Sequence, residues 1–331
     1  MTTARLRWGI LGNARIAREQ VIPAIRVSRN GSVEALASRD AAAARPAIER
    51  HAIPTVFDSY EALLTAPDVD ALYIPLPNSL HVEWMERALL AGKHVLCEKP
   101  LAMHADEIAP LIAARDRTGR VAGEAFMVAH HPQWALVRQW IDEGRIGALR
   151  VVDGAFTYFN RHPDNIRNRA DLGGGALRDI GVYPVVTTRL ATGREPVDAQ
   201  AVLDRDPVFR TDRLAVCRVD FGDFVLSFYC GTQASLRQQM VFHGETGFIT
   251  LSAPFNAGVY DVAKVTLHAN DGASIEERRL TRPNQYQLMV ENFADAVAGA
   301  APLAFPLESS LANQRVIDRL FESAAATAGA A

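Results

Sequence analysis

One pattern recurs along residues 6–127 and restricts the fold more than anything else in the chain. Short apolar runs at 6–11, 33–38, 54–57, 71–74, 94–97 and 121–127 alternate with stretches of helical spacing. Strand and helix in steady succession predict a doubly wound parallel sheet with helices on both faces. At 331 residues the chain also has room for a second domain, because single cores stop growing at about 250–300 residues. The expected fold is α/β, with the doubly wound domain over 1–123 and a carboxyl-terminal α+β domain over 124–331.

The first strand runs directly into Gly12-Asn13-Ala14-Arg15-Ile16-Ala17 and then into a helical pattern. Gly12 permits a sharp turn, the small Ala14 lets the backbone come close to a pyrophosphate, and Ala17 lets helix pack on strand. The helix amino terminus offers N–H groups and a positive dipole end to phosphate. This is a Rossmann-type NAD(P) turn with alanine in place of the second and third glycines; a plain strand-to-helix turn is the alternative. Ser38 and Arg39 close the second strand, followed by Asp40. A hydroxyl and a guanidinium suit a ribose 2′-phosphate, so NADP is the expected cofactor, with NAD as the alternative. In the plainer reading Arg39 is a surface residue and Asp40 a helix cap. The rigid loop Pro75-Leu76-Pro77-Asn78 opens a helix, with Asn78 or Ser79 as cap, and is suited to press on a nicotinamide ribose. His81 follows in the first helical turn, as a cofactor-side or a structural histidine.

The fifth strand ends in Glu98-Lys99-Pro100. Ligands of open parallel sheets sit outside the carboxyl ends of the strands, which makes Lys99 a candidate for chemistry. A solvated ion pair is the alternative. Proline fixes φ just after the lysine and admits a cis bond.

Farther on, 132–143 reads as an amphipathic helix closed by Gly144. Residues 149–159 read as a long strand, with Phe156 and Phe159 assigned to the core and Tyr158 to core or substrate. Asn165-Ile166-Arg167-Asn168 then leads toward Gly173-Gly174-Gly175-Ala176-Leu177-Arg178-Asp179-Ile180-Gly181-Val182-Tyr183-Pro184. The glycines open a helix whose spacing of four sets Asp179 and Tyr183 on one face. Pro184 releases a carbonyl near Ile180, which predicts a kink. A salt-bridged acid and a core tyrosine are the plainer reading of this pair. Strands are expected at 197–202, 213–221, 224–233, 238–243, 248–251 and 263–268, with a hairpin turn at Phe221-Gly222-Asp223-Phe224. They predict one large open, mostly antiparallel sheet, whose exposed face is expected to pair subunits as a homodimer or homotetramer. Helices return at 286–298 and 307–325, before a short Ala/Gly tail expected to fray.

The formal net charge of −3 gives no electrostatic footprint for nucleic acid. Cys97, Cys217 and Cys230 have no CxxC or Cys/His spacing, so no zinc or other metal site and no disulfide framework is expected. A leader, a lipidation signal and a membrane-length apolar run are all missing from the pattern. A cytoplasmic protein with no membrane partner is expected.

Three segments carry a resemblance. Trp8-Gly9-Ile10-Leu11-Gly12 with Ala14 and Ala17, then Pro75 through His81, then Ala91-Gly92-Lys93-His94-Val95-Leu96-Cys97-Glu98-Lys99-Pro100-Leu101, resemble the glucose–fructose oxidoreductase / inositol dehydrogenase / MocA family. The Gly-Gly-Gly-x-Leu-x-Asp-x-Gly-x-Tyr segment is similar to its second signature. The resemblance implies that Lys99, Asp179 and Tyr183 form the catalytic set and that Glu98 and Lys99 line the cofactor site. It also gives Tyr286 as a cofactor contact, with a core or capping tyrosine as the alternative. Tyrosine rather than histidine at 183, together with 165–168, resembles the branch acting on aldoses such as xylose or glucose. That likeness makes Arg167 a cofactor- or substrate-side residue, alongside Tyr158, Lys99, Asp179 and Tyr183. Val128-Ala129 departs from the family's aromatic-arginine pair.

The implied reaction is hydride transfer between NADP and a carbinol or carbonyl carbon of a sugar, polyol or related cyclic diol, of aldose 1-dehydrogenase or reductase type. Tyr183 carries the proton, Lys99 supplies charge and a hydrogen bond, and Asp179 holds the lysine and orients substrate hydroxyls. The alternatives are a non-catalytic NAD(P)-binding sugar or redox sensor, an NAD-dependent inositol-type dehydrogenase and a hydride-shuttling glycosidase.

Overall fold

The computed structural model describes residues 5–329. Residues 1–4, part of the stretch read as lacking a leader, and 330–331 of the Ala/Gly tail lie outside the described residues. The chain forms two compact units: one of residues up to His130 with Asn284–Leu311, the other of His131–Pro283 with the residues from Ala312 onward. The expected cut at 123/124 differs from this division in two respects. A short 3-10 turn, Met127–His130, follows the sixth strand and packs on the helix that begins at Gln285, and residues 284–311 return to the first unit.

The first unit is a six-stranded parallel sheet of β1 (Leu6–Leu11), β2 (Gly31–Ala37), β3 (Thr55–Phe57), β4 (Ala71–Ile74), β5 (His94–Cys97) and β6 (Ala122–Glu124), in the order β3-β2-β1-β4-β5-β6. Strand direction of winding reverses between β1 and β4, the place where doubly wound sheets open a crevice for ligand. Its helices are α1 (Ile22–Val27), α2 (Ala41–His51), α3 (Tyr60–Leu64), α4 (His81–Leu90) and α5 (Ile108–Thr118), with α8 (Gln285–Val297) returning from the far end of the sequence. A π-helical turn, Ala17–Val21, leads into α1. The strands are apolar on both faces because helices cover both, and the core runs through Leu11, Leu72, Ile74, Val95, Met85 and Leu111. α8 is amphipathic, and its Phe293 packs 5.1 Å from the fully buried Trp8 of β1. Lys93 is buried, its ammonium donating to the carbonyls of Ala66 and Val69 at 2.6 and 2.7 Å.

The second unit contains α6 (Gln133–Asp142), β7 (Leu149–Phe159), α7 (Val182–Thr192), β8 (Asp198–Arg205), β9 (Asp212–Asp220), β10 (Val225–Gly231), β11 (Gln233–Gly244), β12 (Gly247–Leu251), β13 (Ala263–Ala269) and β14 (Ser274–Leu280). The strands form one eight-stranded sheet, β14-β13-β12-β11-β7-β10-β9-β8, antiparallel except where β10 runs parallel to β7. The hairpin at 221–224 forms as expected, with the Phe221 N–H on the Phe224 carbonyl. Helix α9 (Leu307–Gly329) continues past the expected end at 325. β14 is an unforeseen edge strand, charged at four of its seven positions. Phe159 corrects an expectation: alternation along β7 turns Phe156 inward but leaves Phe159 68% exposed at the strand's end.

Trp8→Ala is expected to destabilise the first unit by about 3–5 kcal/mol, the cost of deleting a buried large aromatic. Chemical denaturation followed by far-UV circular dichroism checks it, with a shift of under 1 kcal/mol counting against the Trp8–Phe293 contact as a main tie.

Candidate functional site

In the first unit the turn after β1 is shaped by crowding. Gly12 sits at φ +119°, and a Cβ there would come 3.1 Å from Leu76 Cδ2 and 3.7 Å from the Tyr60 hydroxyl. Neighbouring Asn13 donates from Nδ2 to the Ala43 carbonyl at 2.8 Å, and its backbone carbonyl accepts from Arg18. The buried Asn13 Oδ1 has no partner among the described residues, which leaves an acceptor beside the turn that suits a donor such as a ribose hydroxyl. Ala14 and Ile16 are half-buried; Arg15 is exposed and pairs with Glu19 at 2.8 Å. A cradle that only glycine fits, with a stranded buried acceptor in it, suits a dinucleotide.

The loop after β2 gives Ser38, Asp40 and Arg39 three different settings. The Ser38 hydroxyl donates to the Asp40 carbonyl at 2.8 Å and accepts from its N–H, so it shapes the loop. Asp40 caps α2 through the Ala43 N–H at 2.9 Å. Arg39 is exposed, with its guanidinium carbon 5.7 Å from the centre of the Tyr60 ring that also borders Gly12.

The loop after β4 places Pro75 and Leu76 in the core and leaves Pro77 and Asn78 half-buried. The expected side-chain cap is corrected: Pro77 stands at the N-cap of a 3-10 turn, Asn78–Leu80, and Leu80 at that of α4, neither giving a side-chain cap bond. His81 is fully buried, its Nδ1 2.8 Å from the Pro100 carbonyl and its Nε2 2.8 Å from the Leu76 carbonyl. Both ring nitrogens are therefore engaged with backbone, and burial pulls the imidazole pKa down. The expected cofactor contact at His81 becomes a brace between two loops.

That brace acts on the lysine loop. The Lys99–Pro100 bond is cis. Glu98 accepts from the Tyr73 hydroxyl at 2.6 Å and from the Lys99 N–H at 3.2 Å, and burial first, then Glu98, push the Tyr73 phenol well up. Tyr286, at the start of α8, is buried close enough to Tyr73 to act on it electrostatically. Sequence reasoning missed Glu124, which ends β6 and accepts from the Leu101 N–H at 2.9 Å. Burial pushes its carboxyl up to about 7, with nearby Glu98 adding to the rise and Lys99 opposing it. Its signal was a lone carboxylate inside the apolar run at 121–127, which the structure ends at Glu124.

The second unit assembles the other expected residues. Asp179 is buried, and its Oδ2 accepts both from the Tyr158 hydroxyl at 2.7 Å and from Arg167 Nε at 2.8 Å. Burial raises the Tyr158 phenol, and Asp179 raises it further; the same carboxylate holds Arg167 firmly protonated. The expected kink is present as a π-helical turn, Leu177–Gly181, directly before α7. Tyr183 follows, buried between Phe156 at 5.5 Å and Phe255 at 5.6 Å between ring centres. A Cβ on Gly174 would collide with the Arg167 carbonyl, and the Gly175 N–H donates to that carbonyl at 2.9 Å. The glycine run thus lets the Arg167 segment lie against the turn that carries Asp179.

A family model described as an oxidoreductase family with an NAD-binding Rossmann fold matches residues 6–126, and the GFO/IDH/MocA C-terminal domain matches 134–250. The chain belongs to the Gfo/Idh/MocA oxidoreductase family. Among its Gfo/Idh/MocA-like relatives, dTDP-3,4-didehydro-2,6-dideoxy-alpha-D-glucose 3-reductase of Streptomyces violaceoruber is 39% identical over 311 residues, covering 90% of this chain and 87% of that one. D-xylose 1-dehydrogenase (NADP(+)) 2 of Haloferax volcanii is 34% identical, covering 96% and 97%. A 3-ketoreductase from Actinomadura kijaniata, solved with NADP and TDP-benzene, superposes with a TM-score of 0.89 at 33% identity, covering 96% of this chain and 98% of that one. This Gfo/Idh/MocA member is therefore an oxidoreductase with sugar-acting relatives.

Glu124 yields a pH test. Its folded pKa of about 7 lies above the unfolded value, so the native state holds an extra proton between about pH 4.3 and 7 and stability falls as pH rises through that window. Glu124→Gln does not titrate. Its melting temperature relative to wild type is expected to rise from pH 5 to pH 8, by on the order of 2–4 °C per kcal/mol of ionisation cost. A constant difference across those pH values contradicts a buried, proton-holding Glu124.

Proposed function

We propose that this chain is an NADP-dependent oxidoreductase acting between a hydroxyl and a carbonyl on a sugar, polyol or related cyclic diol. Its first unit is assigned to the dinucleotide and its second to the substrate. Gly12, Asn13, Ala14, Arg15 and Ile16 would hold the pyrophosphate and ribose, Arg39 the 2′-phosphate beside Ser38, and Pro75, Leu76, Pro77, Asn78, Glu98, Lys99 and Tyr286 the nicotinamide end. NADP, when bound, supplies the hydride acceptor.

The observation that carries the reading is Asp179, a carboxylate fixed by Tyr158 and Arg167 within the same short segment as Tyr183. A fixed carboxylate orients sugar hydroxyls, and a nearby phenol handles the single proton that hydride transfer leaves over. Tyr183 is assigned that proton, Lys99 a positive charge at the nicotinamide end, and Asp179 with Arg167 and Tyr158 the substrate's orientation. Oxidation of an aldose at its anomeric carbon is the preferred direction, in keeping with the xylose dehydrogenase relative. Reduction of a keto group on a nucleotide-linked sugar is the second reading, favoured by the more similar 3-reductase.

The subunit reading concerns the open sheet face. Val202 of β8 stands opposite Val216 of β9, which stands opposite Tyr229 of β10. The two valines are 65% and 51% exposed. An apolar row on an exposed sheet face suits a self-complementary interface, so a homodimer or homotetramer is proposed. A cytoplasmic location accords with three buried free cysteines, and among the described residues no helix is long and apolar enough to cross a membrane.

Lys99→Ala and Tyr183→Phe are each expected to cut turnover at least ~10²-fold, the usual weight of an acid–base group, while NADP affinity stays within about twofold in Tyr183→Phe. NADPH absorbance with aldoses and NADP, or with keto-sugars and NADPH, reads the first, and fluorescence titration the second. Wild-type turnover in both variants overturns the reading; tight NADP binding with no turnover of any substrate favours a sensor. Val216→Glu is expected to lower the solution mass measured by light scattering, and an unchanged oligomer removes the sheet face as the interface.

A further inference from the structure

The turn that bears Asp179 is anchored by a residue from a strand far along the sequence. Asp212, the first residue of β9, is 2% exposed, and its Oδ2 accepts the Leu177 N–H at 2.7 Å. Leu177 opens the π-helical turn, two residues before Asp179. The other carboxylate oxygen lies against Gly175, where a Cβ would overlap it and where φ is +125°. Gly175 is in turn tied to the Arg167 carbonyl through its N–H and to the Asp179 N–H through its own carbonyl at 3.1 Å. On the same turn Arg178 lies with its guanidinium 4.5 Å from the Phe321 ring of α9. The segment is thus fixed at Gly175 and Leu177 by one carboxylate.

We propose that Asp212 is the positioning residue of the substrate half-site: by capping Leu177 and seating Gly175 it sets where Asp179 and Arg167 stand. This rests on the catalytic reading of Asp179 and Tyr183 above. Asp212 touches neither of them, and it acts through the backbone between. Its role needs an acceptor oxygen at Leu177 and a flat group against Gly175, both of which asparagine provides and alanine does not.

The charge on Asp212 is a cost. Facing it are the cations Arg178 and Arg205 and the thiols Cys217 and Cys230, and burial pushes its carboxyl up to about 6 in spite of the Leu177 N–H. With a folded pKa above the unfolded value of about 3.9, wild type loses stability as pH rises from about 4 to 6. Asp212→Asn escapes that loss, so at pH 8 it is expected to melt no lower than wild type.

The test compares Asp212→Ala, Asp212→Asn and Asp179→Asn in the full chain with NADP bound. Hydrogen–deuterium exchange of residues 176–183 is expected to quicken at least tenfold in Asp212→Ala, with exchange in β1, β4 and β5 unchanged, and to stay at the wild-type rate in Asp212→Asn. For the substrate the enzyme turns over, kcat/KM in Asp212→Ala is expected to fall about 10–100-fold, mostly in kcat, as misplacement of a catalytic group does. Asp212→Asn stays within about threefold, and NADP affinity is unmoved in both. Unchanged exchange at 176–183 in Asp212→Ala, exchange quickened throughout the chain, or Asp212→Asn as damaged as Asp212→Ala overturns the proposal. If Asp179→Asn turns over like wild type, the catalytic reading fails instead, while local exchange in Asp212→Ala still decides whether Asp212 anchors the turn.

Discussion

A parallel sheet leaves backbone groups unpaired wherever its strands stop, and burial makes each of them expensive unless a partner is found. In this chain ionisable side chains provide those partners. Lys93 serves the carbonyls of Ala66 and Val69, His81 those of Leu76 and Pro100, and Glu124 the N–H of Leu101. The loops that carry Pro75–Asn78 and Glu98–Lys99 are consequently defined by internal hydrogen bonds rather than by chain stiffness alone. The turn after β1 depends on the same loops, since Gly12 is seated against Leu76.

The second unit solves a related problem by crowding. Its glycine run reads in sequence as the opening of a helix. In the structure Gly174 and Gly175 are places where backbone and carboxylate approach too closely for any side chain. Small residues there let the Arg167 segment, the π-helical turn and the first residue of β9 meet, and Tyr158 and Arg167 both donate to one oxygen of Asp179.

Much of this was legible in the residues because it rests on local periodicity. Six strand-like runs, the turn at Gly12, the hairpin at 221–224 and the strand-ending Lys99 all follow from patterns a few residues long. What escaped depends on partners distant in sequence. His81 and Glu124 could be noticed as unusual residues, but their roles are set by carbonyls and N–H groups 5 to 23 positions away. β14 hides because it is an edge strand whose charges mask any alternation, a composition that discourages further strand pairing. Asp212 gave no sign at all, since nothing near it in sequence points to Leu177. Likewise, the amphipathic pattern of α8 reveals an apolar face without saying that Trp8 is what it covers.

That last contact bears on how the chain is made. Phe293 reaches Trp8 only after all of residues 131–283 have been synthesised, a delay of roughly 8–30 s at about 5–20 residues per second. Leu307, which completes the first unit's apolar cluster, emerges later still. The amino-terminal sheet therefore leaves the ribosome with part of its core uncovered. It must wait for a segment from beyond the second unit before Trp8 is sealed from water, and during that interval the nascent chain offers a natural surface to chaperones.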